Sequence, residues 1–368
     1  MPPDVAATTA AASRWAERWY QGHLLFALLM PMAWLFTVIS GLRRLAYRWG
    51  WLRTWRGAVP VCVVGNITVG GTGKTPLTLA LVEYLRAQGW RPGIVSRGYG
   101  GQGANYPQLV HADNLATAVG DEPLLLARRA QAPVVIDPLR ARGVQHLLAT
   151  SDCNVVICDD GLQHYALARD IEIAVVDGQR GFGSAWRLPA GPLRESLARL
   201  ATVDFVVVNG PWRASGTAPP SALTLSLQPA PWQPVNPMQS LPMPAEGSVH
   251  AVAGIGHPPR FFALLAEQGF KPIPHAFPDH HAYVAEDLRF SPPAPLVMTE
   301  KDAVKCAGFA PANSWYVPVQ AILPDSFWQA LTQRLASWKA FGESPDAGSK
   351  TARHFGLPAV QRAAALCA

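Results

Sequence analysis

The chain has 368 residues, of which 49% are hydrophobic, so it is long enough for two modest folded domains and lacks the composition of a disordered protein. Its 31 lysines and arginines outnumber its 25 aspartates and glutamates, which gives a formal net charge of +6. A positive chain favours anionic partners such as phosphates, nucleic acids or acidic lipid head groups, and the charge alone does not choose among them.

The cysteines are spread along the chain and contain no C-x-x-C pair. They are Cys62, Cys153, Cys158, Cys306 and Cys367. An odd number without paired spacing is typical of a reducing compartment rather than of a disulfide framework. We therefore expect a protein exposed to the cytosol.

Residues 24–39, LLFALLMPMAWLFTVI, form an uncharged apolar run near the N-terminus. The run is shorter than the ~20 residues that a spanning helix needs, and Pro31 interrupts it. Basic and tryptophan residues surround it, namely Arg14, Arg18, Arg43, Arg44, Arg48, Arg53 and Arg56 with Trp15, Trp19, Trp49, Trp51 and Trp55. Such side chains suit the boundary between acyl chains and anionic head groups, so residues 14–54 are predicted to be an amphipathic, membrane-associated helical segment. A helix hairpin packed in a protein core is the alternative.

From Val59 onward, short β-rich runs alternate with helical patterns, as in parallel βαβ units. The runs lie at 59–64, 93–96, 133–136, 154–158, 172–176 and 205–209. A helix is expected at 77–89, ending at Gly89. The pattern predicts an α/β domain at residues 55–210 with a doubly wound, mostly parallel sheet.

Residues 211–247 break this pattern, because nine prolines surround one alternating stretch at 222–227. We interpret them as a Pro-rich linker with an isolated strand. A second set of strand and helix patterns follows at 249–255, 260–269 and 295–302, which predicts a smaller α/β domain at 248–342. Residues 343–368 show little periodicity and are left unassigned.

A glycine-rich stretch, GNITVGGTGKTP at 65–76, follows the first apolar strand and precedes a helical pattern. Such glycines let backbone N–H groups converge on a phosphate, while Lys74 adds a positive charge and the Thr75 hydroxyl can ligate Mg²⁺. The usual G-x-x-x-x-G-K-[ST] pattern begins with glycine, whereas this chain has Thr68 there. A P-loop NTPase-like domain is predicted, and a chance glycine-rich turn is the alternative. The residues expected to contact ATP are Thr68, Val69, Gly70, Gly71, Thr72, Gly73, Lys74 and Thr75.

Asp159 and Asp160 directly follow the apolar run VVIC, where P-loop proteins place an acidic residue for the metal. A strand exit capped by Asp and Gly161 would explain one such residue equally simply. Two adjacent carboxylates in a P-loop protein favour a Mg²⁺ site. Gln163 and His164 lie close by and can orient phosphate or substrate, although His164 can also serve only as a local cap.

Taken in order, these motifs resemble the tetraacyldisaccharide 4'-kinase family across residues 15–340. Besides the glycine-rich loop, the matching strings are SRGYGG at 96–101, VGDEP at 119–123, DDGLQH at 159–164, LPAGPLRE at 188–195, FPDHH at 277–281 and TEKDAVK at 299–305. The resemblance implies that the γ-phosphate of ATP is transferred to the 4'-hydroxyl of a tetraacylated glucosamine disaccharide 1-phosphate, with Mg²⁺. It also implies two α/β domains joined by a strand linker, in a peripheral or monotopic protein on the cytoplasmic face of the inner membrane.

A substrate with several acyl chains stays in the bilayer, because each exposed CH₂ group costs ~0.8 kcal/mol, so the enzyme must reach it at the membrane surface. Guanidinium groups bind phosphate oxygens in a bidentate fork, which makes Arg97 and Arg140 the first candidates for phosphate binding. Arg142 and Arg194 are further candidates, and a solvated surface charge is an equally good interpretation of both. The residues expected at the substrate are Asn66, Arg97, Tyr99, Arg140, His164 and Arg194.

The acceptor hydroxyl needs a group that takes its proton. Asp121 is the first choice, because it follows a small Val-Gly turn from which a side chain can project into the crevice. By resemblance, His280 rather than His281 is expected to orient Asp121 once the domains close. The alternative is that Asp121 only caps a helix that begins near Glu122. The predicted catalytic residues are Asp121, His280 and Lys74, and the predicted metal ligands are Thr75, Glu122, Asp159 and Asp160.

Two other functions compete with a lipid kinase. A membrane-bound P-loop ATPase could act as a partner-binding switch, but such proteins often carry a lysine just before the glycines, where this chain has Val69. A nucleic-acid binder is favoured only by the positive charge, without a recognition motif. We therefore expect an acylated disaccharide lipid and an anionic membrane surface as partners, and neither nucleic acid nor an obligate protein partner.

Overall fold

A computed structural model describes residue 15 and residues 17–103, 105–238 and 241–342. Arg14, Cys367 and the unassigned tail at 343–368 lie outside the described residues. The chain divides into two compact units, Met1–Pro324 and Asp325–Ala368. The first unit contains both sheets and every residue that the sequence places at the site.

Residues 17–21 are helical, and the helices that follow are α1 (Met30–Arg48), α2 (Lys74–Ala87), α3 (Ala116–Val119), α4 (Asp121–Arg129), α5 (Arg140–Thr150), α6 (Pro258–Glu267), α7 (Glu300–Cys306) and α8 (Asp325–Gly342). The strands are β1 (Val61–Gly65), β2 (Pro92–Ser96), β3 (Gln108–Val110), β4 (Val134–Ile136), β5 (Val155–Asp159), β6 (Ile171–Asp177), β7 (Phe205–Asn209), β8 (Leu223–Pro229), β9 (Gln233–Pro234), β10 (Gly247–Ala253), β11 (Phe270–Ala276), β12 (Leu296–Thr299), β13 (Ser314–Val317) and β14 (Val319–Ile322). Short 3₁₀ turns cover Leu24–Leu29, Leu197–Thr202 and Ala285–Leu288.

The apolar N-terminal run folds as the 3₁₀ turn followed by α1. Pro31 does not interrupt the helix, because it lies in the first turn of α1, where its missing N–H would have had no intrahelical partner. Leu24–Arg48 is the one segment of the described chain that is long and apolar enough to cross a membrane, with a mean hydropathy of 2.0. Its outer face is exposed, as Leu24, Leu28 and Trp34 show at 82%, 81% and 70%. Helix α1 therefore does not pack in the core of the described chain.

The first sheet has nine strands in the order β14-β8-β7-β6-β1-β5-β2-β4-β3. All six strands expected between residues 59 and 209 are present in it, and they pair in parallel with one another. Only the outermost pairs, β3 with β4 and β14 with β8, are antiparallel. Strand β1 lies between β5 and β6, so the strand order reverses at β1 and opens a crevice at the carboxyl ends of these strands. The prediction of a doubly wound, mostly parallel sheet is confirmed.

The second sheet has five strands in the order β11-β10-β12-β13-β9, of which only β9 is antiparallel to its neighbour. The Pro-rich segment supplies one strand to each sheet. Its alternating stretch is β8, which is not isolated, because it pairs with β7 on one side and with β14 on the other. Alternation in sequence reveals a half-buried strand but not its partners, and β14 lies far along the chain. The domain boundaries drawn from the sequence stay a prediction.

The core of the first sheet is mostly aliphatic, whereas the core of the second sheet combines aliphatic and aromatic side chains. In the first sheet, Val63, Val95 and Val156 are completely buried, and in the second so are Val249 and Val297. Burial of each such side chain contributes about 1.5 to 3 kcal/mol. The strands therefore form a rigid support for the polar loops at their carboxyl ends.

Candidate active site

The glycine-rich loop runs from the end of β1 to the start of α2. Helix α2 begins at Lys74, three residues before the expected start, and Thr75 is in its first turn. Gly70 and Gly73 have φ angles of 98° and 93°, in the left-handed region that favours glycine. The 188–195 segment braces the loop, since the Val69 N–H donates to the Pro192 carbonyl at 2.9 Å. The stretch thus has the strand–loop–helix geometry that its pattern predicts, and its contact with phosphate stays a prediction.

Asp160 lies between two cations. Lys74 Nζ is 3.6 Å from Asp160 Oδ1, and Arg194 Nη1 is 3.2 Å from both carboxylate oxygens. Burial opposes the charge of Asp160, but Lys74 and Arg194 together hold the pKa of this carboxyl well below its usual range. Asp160 is therefore ionised, and it positions both the loop lysine and Arg194.

Asp159 has a different environment from its neighbour. It is completely buried, and its Oδ1 accepts a long hydrogen bond from the Thr78 hydroxyl at 3.5 Å. Its Oδ2 has no hydrogen-bond partner in the part of the chain that the structure describes. Burial raises the pKa of Asp159 to about 7, and the nearby Glu122 carboxylate adds to this effect. A buried carboxylate with a free oxygen beside a second carboxylate is suited to a cation.

A Mg²⁺ ion at this site would have only a few protein ligands. No group of three or more His, Cys, Asp or Glu side chains among the described residues could hold a metal ion by itself. Mg²⁺ is commonly bound through one or two carboxylates together with substrate phosphates and waters. The orphaned Asp159 oxygen, Glu122 and the half-buried Thr75 at the start of α2 fit that mode.

Asp121 and His280 come together from the two sheets. Asp121 is the first residue of α4 and is 5% exposed, and His280 Nδ1 is 3.0 Å from each of its carboxylate oxygens. Burial opposes charge on both side chains. Their hydrogen bond nevertheless lowers the pKa of Asp121 and raises the pKa of His280. His281 instead contacts Asp287 at 2.9 Å, so the geometry distinguishes the two histidines as expected.

Lys301, which no sequence motif singled out as a site residue, connects this pair to Glu122. Its Nζ is 3.0 Å from Glu122 Oε1, 3.3 Å from His280 Nε2 and 3.8 Å from Asp121 Oδ2. Burial opposes its charge, but the Glu122 and Asp121 carboxylates raise the pKa of Lys301. The TEKDAVK string carried a usable signal, since Lys301 and Lys305 are four residues apart and share one face of α7. Lys305 Nζ is 3.9 Å from Asp121 Oδ2.

The candidate arginines differ in whether their guanidinium groups already have hydrogen-bond or ion-pair partners in the described chain. Arg97 is exposed and has no hydrogen bond or ion pair within the described chain. Arg140 is 1% exposed and donates to the backbone carbonyls of Asp137 at 2.7 Å and Asp159 at 3.2 Å. Arg142 pairs with the Asp137 carboxylate at 2.6 Å. This geometry favours Arg97 as a ligand for substrate and a structural role for Arg140, whose predicted contact with substrate stays a prediction.

The remaining predicted residues lie around the same crevice. The exposed Tyr99 ring is 4.8 Å from that of His280. Burial, together with the Arg140 charge, lowers the pKa of His164 to about 3, so this imidazole is neutral. Asn66 is buried, and its side chain donates to the Gly70 carbonyl at 3.1 Å, within the loop itself.

A family model described as tetraacyldisaccharide-1-P 4'-kinase, LpxK, matches residues 25–336 of this chain. The chain belongs to this kinase family. A tetraacyldisaccharide 4'-kinase of Tolumonas auensis is 49% identical over 320 residues, which cover 86% of this chain and 96% of the relative. One from Alkalilimnicola ehrlichii is 54% identical over 298 residues, which cover 80% and 87% of the two chains.

A solved structure of Aquifex aeolicus LpxK in complex with ATP has a similar fold. It matches with a TM-score of 0.69 and 25% identity, over 84% of this chain and 99% of the LpxK chain. The predictions of the tetraacyldisaccharide 4'-kinase family, the fold class and a kinase are therefore confirmed. The family match favours the kinase over the ATPase switch that the sequence left open.

Proposed function

We propose that this chain transfers the γ-phosphate of ATP to the 4'-hydroxyl of a tetraacyldisaccharide 1-phosphate, a step of lipid A biosynthesis. The observation that carries the proposal is the pairing of Asp121 with His280 in the crevice that also holds the phosphate-binding loop. Charged side chains connect the two parts. Asp160 contacts Lys74 of the loop at 3.6 Å. The Glu122 carboxylate adds to the effect of burial in raising the pKa of the neighbouring Asp159. Glu122 also contacts Lys301 at 3.0 Å, beside the pair.

In this reaction the phosphate-binding loop and Lys74 hold the phosphates and offset the charge on the transferring group. Ionised Asp121 can only accept hydrogen bonds, so His280 Nδ1 carries the proton that points at it. Asp121 then takes the 4'-hydroxyl proton as that oxygen bonds to the γ-phosphorus and the bond to the leaving ADP oxygen breaks. His280 holds the carboxylate in position throughout.

Mg²⁺ is the metal that we expect at Glu122, Asp159 and Thr75. When bound, it would neutralise charge on the phosphate oxygens. The free Asp159 oxygen and the raised pKa of that carboxyl support this assignment, because both favour an arriving cation. Asp160 is less suited to be a ligand, since Lys74 and Arg194 already neutralise it.

Substrate contacts are proposed for the side chains around the Asp121–His280 pair. Arg97 offers an unpaired guanidinium, and Tyr99 offers an exposed ring against His280. Neutral His164 can donate or accept a hydrogen bond to the sugar or phosphate. Arg194 already contacts Asp160 and can share its remaining donors with the substrate.

The exposed apolar face of α1 supports attachment to the cytoplasmic face of the inner membrane. Arg43 and Arg48, near the end of the helix, are exposed where anionic head groups would lie. Arg44 instead donates to the Thr202 hydroxyl at 3.3 Å, which connects α1 to the 3₁₀ turn Leu197–Thr202. An enzyme held this way meets a substrate whose acyl chains stay in the bilayer.

The test is phosphate transfer from ATP with and without an acylated disaccharide 1-phosphate in detergent micelles. A kinase consumes ATP only with this acceptor and forms the 4'-phosphorylated product. In Lys74→Ala the transfer should be almost abolished, because the γ-phosphate loses its positive partner. Equal ATP hydrolysis with and without acceptor would support the switch instead.

A further inference from the structure

Three successive peptide carbonyls of the phosphate-binding loop are held by side chains. Each carbonyl accepts one hydrogen bond from a side-chain nitrogen. The pairs are Asn66 Nδ2 with Gly70 at 3.1 Å, Arg180 Nη2 with Gly71 at 2.7 Å, and Asn209 Nδ2 with Thr72 at 3.1 Å. The donors come from the loop itself, from the turn after β6 and from the end of β7, so the loop is fixed from several directions.

These hydrogen bonds set the direction of the loop's N–H groups. In a trans peptide the carbonyl and the following N–H point in opposite directions. The N–H groups of Gly71, Thr72 and Gly73 therefore face away from the three side chains. Within the described chain they donate no hydrogen bond. A row of free N–H groups in such a loop is an anion site, so the side chains prearrange the place for phosphate.

Asn209 packs directly against the backbone of Gly73 in the loop. It is the last residue of β7 and is 3% exposed. A Cβ atom on Gly73 would lie only 2.4 Å from Asn209 Nδ2, so the loop backbone packs directly on this amide. Any side chain at residue 73 would displace Asn209, and any shift of Asn209 would move the loop.

The orientation of the Asn209 amide is fixed from the second sheet. Arg260, in α6, donates from Nη2 to Asn209 Oδ1 at 2.9 Å. An arginine can only donate and a peptide carbonyl can only accept, so Oδ1 must face Arg260 and Nδ2 must face Thr72. We infer that Asn209 is a positioning residue of the phosphate-binding loop and that Arg260 fixes the orientation of its amide. The inference rests on the proposed role of the loop in binding ATP.

The test compares ATP affinity in full-length variants, measured by calorimetry without acceptor, together with KM for each substrate. In Asn209→Asp one carboxylate oxygen can still accept the Arg260 hydrogen bond. The other oxygen replaces the Nδ2 donor, so two acceptors face each other at the Thr72 carbonyl. We expect Kd and KM for ATP to rise about tenfold or more, with KM for the lipid acceptor unchanged. The matched control is Asn154→Asp, at the amino-terminal end of β5 and so at the opposite end of the strands, where Oδ1 accepts the Arg91 backbone N–H and an aspartate can do the same.

Arg260→Ala should raise the Kd for ATP about threefold in the wild-type background and have no further effect when combined with Asn209→Ala. Wild-type ATP affinity in an Asn209→Asp protein of wild-type melting temperature would overturn the inference. If Asn209→Asp does not fold, an unchanged Kd in Arg260→Ala overturns it just as well. A wild-type protein that binds no ATP would overturn the proposed function and this inference with it.

Discussion

The Asp121 carboxylate and the His280 imidazole lie 3.0 Å apart, although the segments that carry them are attached to different sheets. Asp121 begins a helix beside the first sheet, and His280 lies in the turn after β11, with a φ of 60°. Lys301 is 3.3 Å from the other nitrogen of the imidazole. The pair therefore exists only when the second sheet is docked against the first, which makes its chemistry depend on that docking.

Asp121→Asn should lower kcat by about 10²- to 10⁴-fold, because the amide cannot take the proton of the acceptor hydroxyl. The amide oxygen can still accept a hydrogen bond from the His280 Nδ1–H, so the protein should stay folded, and its ATP affinity and its melting temperature in alkaline buffer should change little. Steady-state kinetics of the purified variant give the answer. Asp287→Asn is the matched control, since it alters the other Asp–His contact, that of His281.

If Asp121 and His280 act as one unit, Asp121→Asn, His280→Ala and the double variant should lose similar amounts of kcat. Additive losses would mean that the two side chains act separately. Wild-type kcat in Asp121→Asn between mildly acidic and alkaline pH would show that another group takes the proton.

The same pair should contribute to stability only within a pH window. The pKa of His280 is raised in the folded protein, so its contribution is complete below its unfolded pKa and is lost as the pH rises through the folded pKa. The pKa of Asp121 is lowered, so its contribution is present above its unfolded pKa and is lost as the pH falls through the folded pKa.

We therefore expect His280 to titrate in an NMR experiment above the ordinary histidine value of 6.5, and Asp121→Asn to move it down. The difference in melting temperature between wild type and Asp121→Asn should be largest in neutral to mildly acidic buffer and should shrink in alkaline buffer. A His280 pKa that does not respond to Asp121→Asn would contradict this ion pair.

Charges on the exposed face of the apolar segment Leu24–Arg48 should release the protein from membranes. Leu28 and Trp34 are 81% and 70% exposed, so Leu28→Glu and Trp34→Glu together remove little packing. Each charge placed in the bilayer costs up to about 3 kcal/mol. The double variant should move from vesicles with anionic lipids to the soluble fraction and keep its ATP affinity.

Met238→Glu is the control for this membrane experiment, because Met238 is also highly exposed but lies in the Pro-rich segment. Deletion of residues 1–54 should have the same effect as the double variant and leave Trp55, which pairs with Leu167, in place. Full vesicle binding by both altered proteins would rule out the segment Leu24–Arg48 as the anchor.

Local patterns explain what the sequence predicted. Apolar runs of the right length indicated the six parallel strands, and the glycine-rich loop between a strand and a helix indicated the phosphate site. Partners that are distant in sequence could not be predicted in the same way. The pairing of β8 with β14 and the contact of Lys301 with Glu122 arise only after the sheets assemble. Arg140 shows the same limit, since a buried and an exposed arginine have identical sequence signals.

Arg97 and Arg140 should therefore behave oppositely, although the sequence makes both first candidates for substrate. Arg140→Ala removes two donors from buried carbonyls and leaves a cavity, so the free energy of unfolding should fall by about 2 to 4 kcal/mol. Arg97→Ala should change it by less than about 0.5 kcal/mol and raise KM for the lipid acceptor about tenfold.

Denaturant unfolding and acceptor kinetics on the two variants separate these roles, with the exposed Arg289→Ala as the control for loss of a surface charge. Lysine variants add a second comparison. Lysine keeps a charge but not the planar fork, so Arg97→Lys should recover part of the acceptor affinity, whereas Arg140→Lys cannot reach both carbonyls and should stay unstable. A stable Arg140→Ala protein that loses only acceptor affinity would instead place Arg140 at the substrate, as the sequence alone predicts.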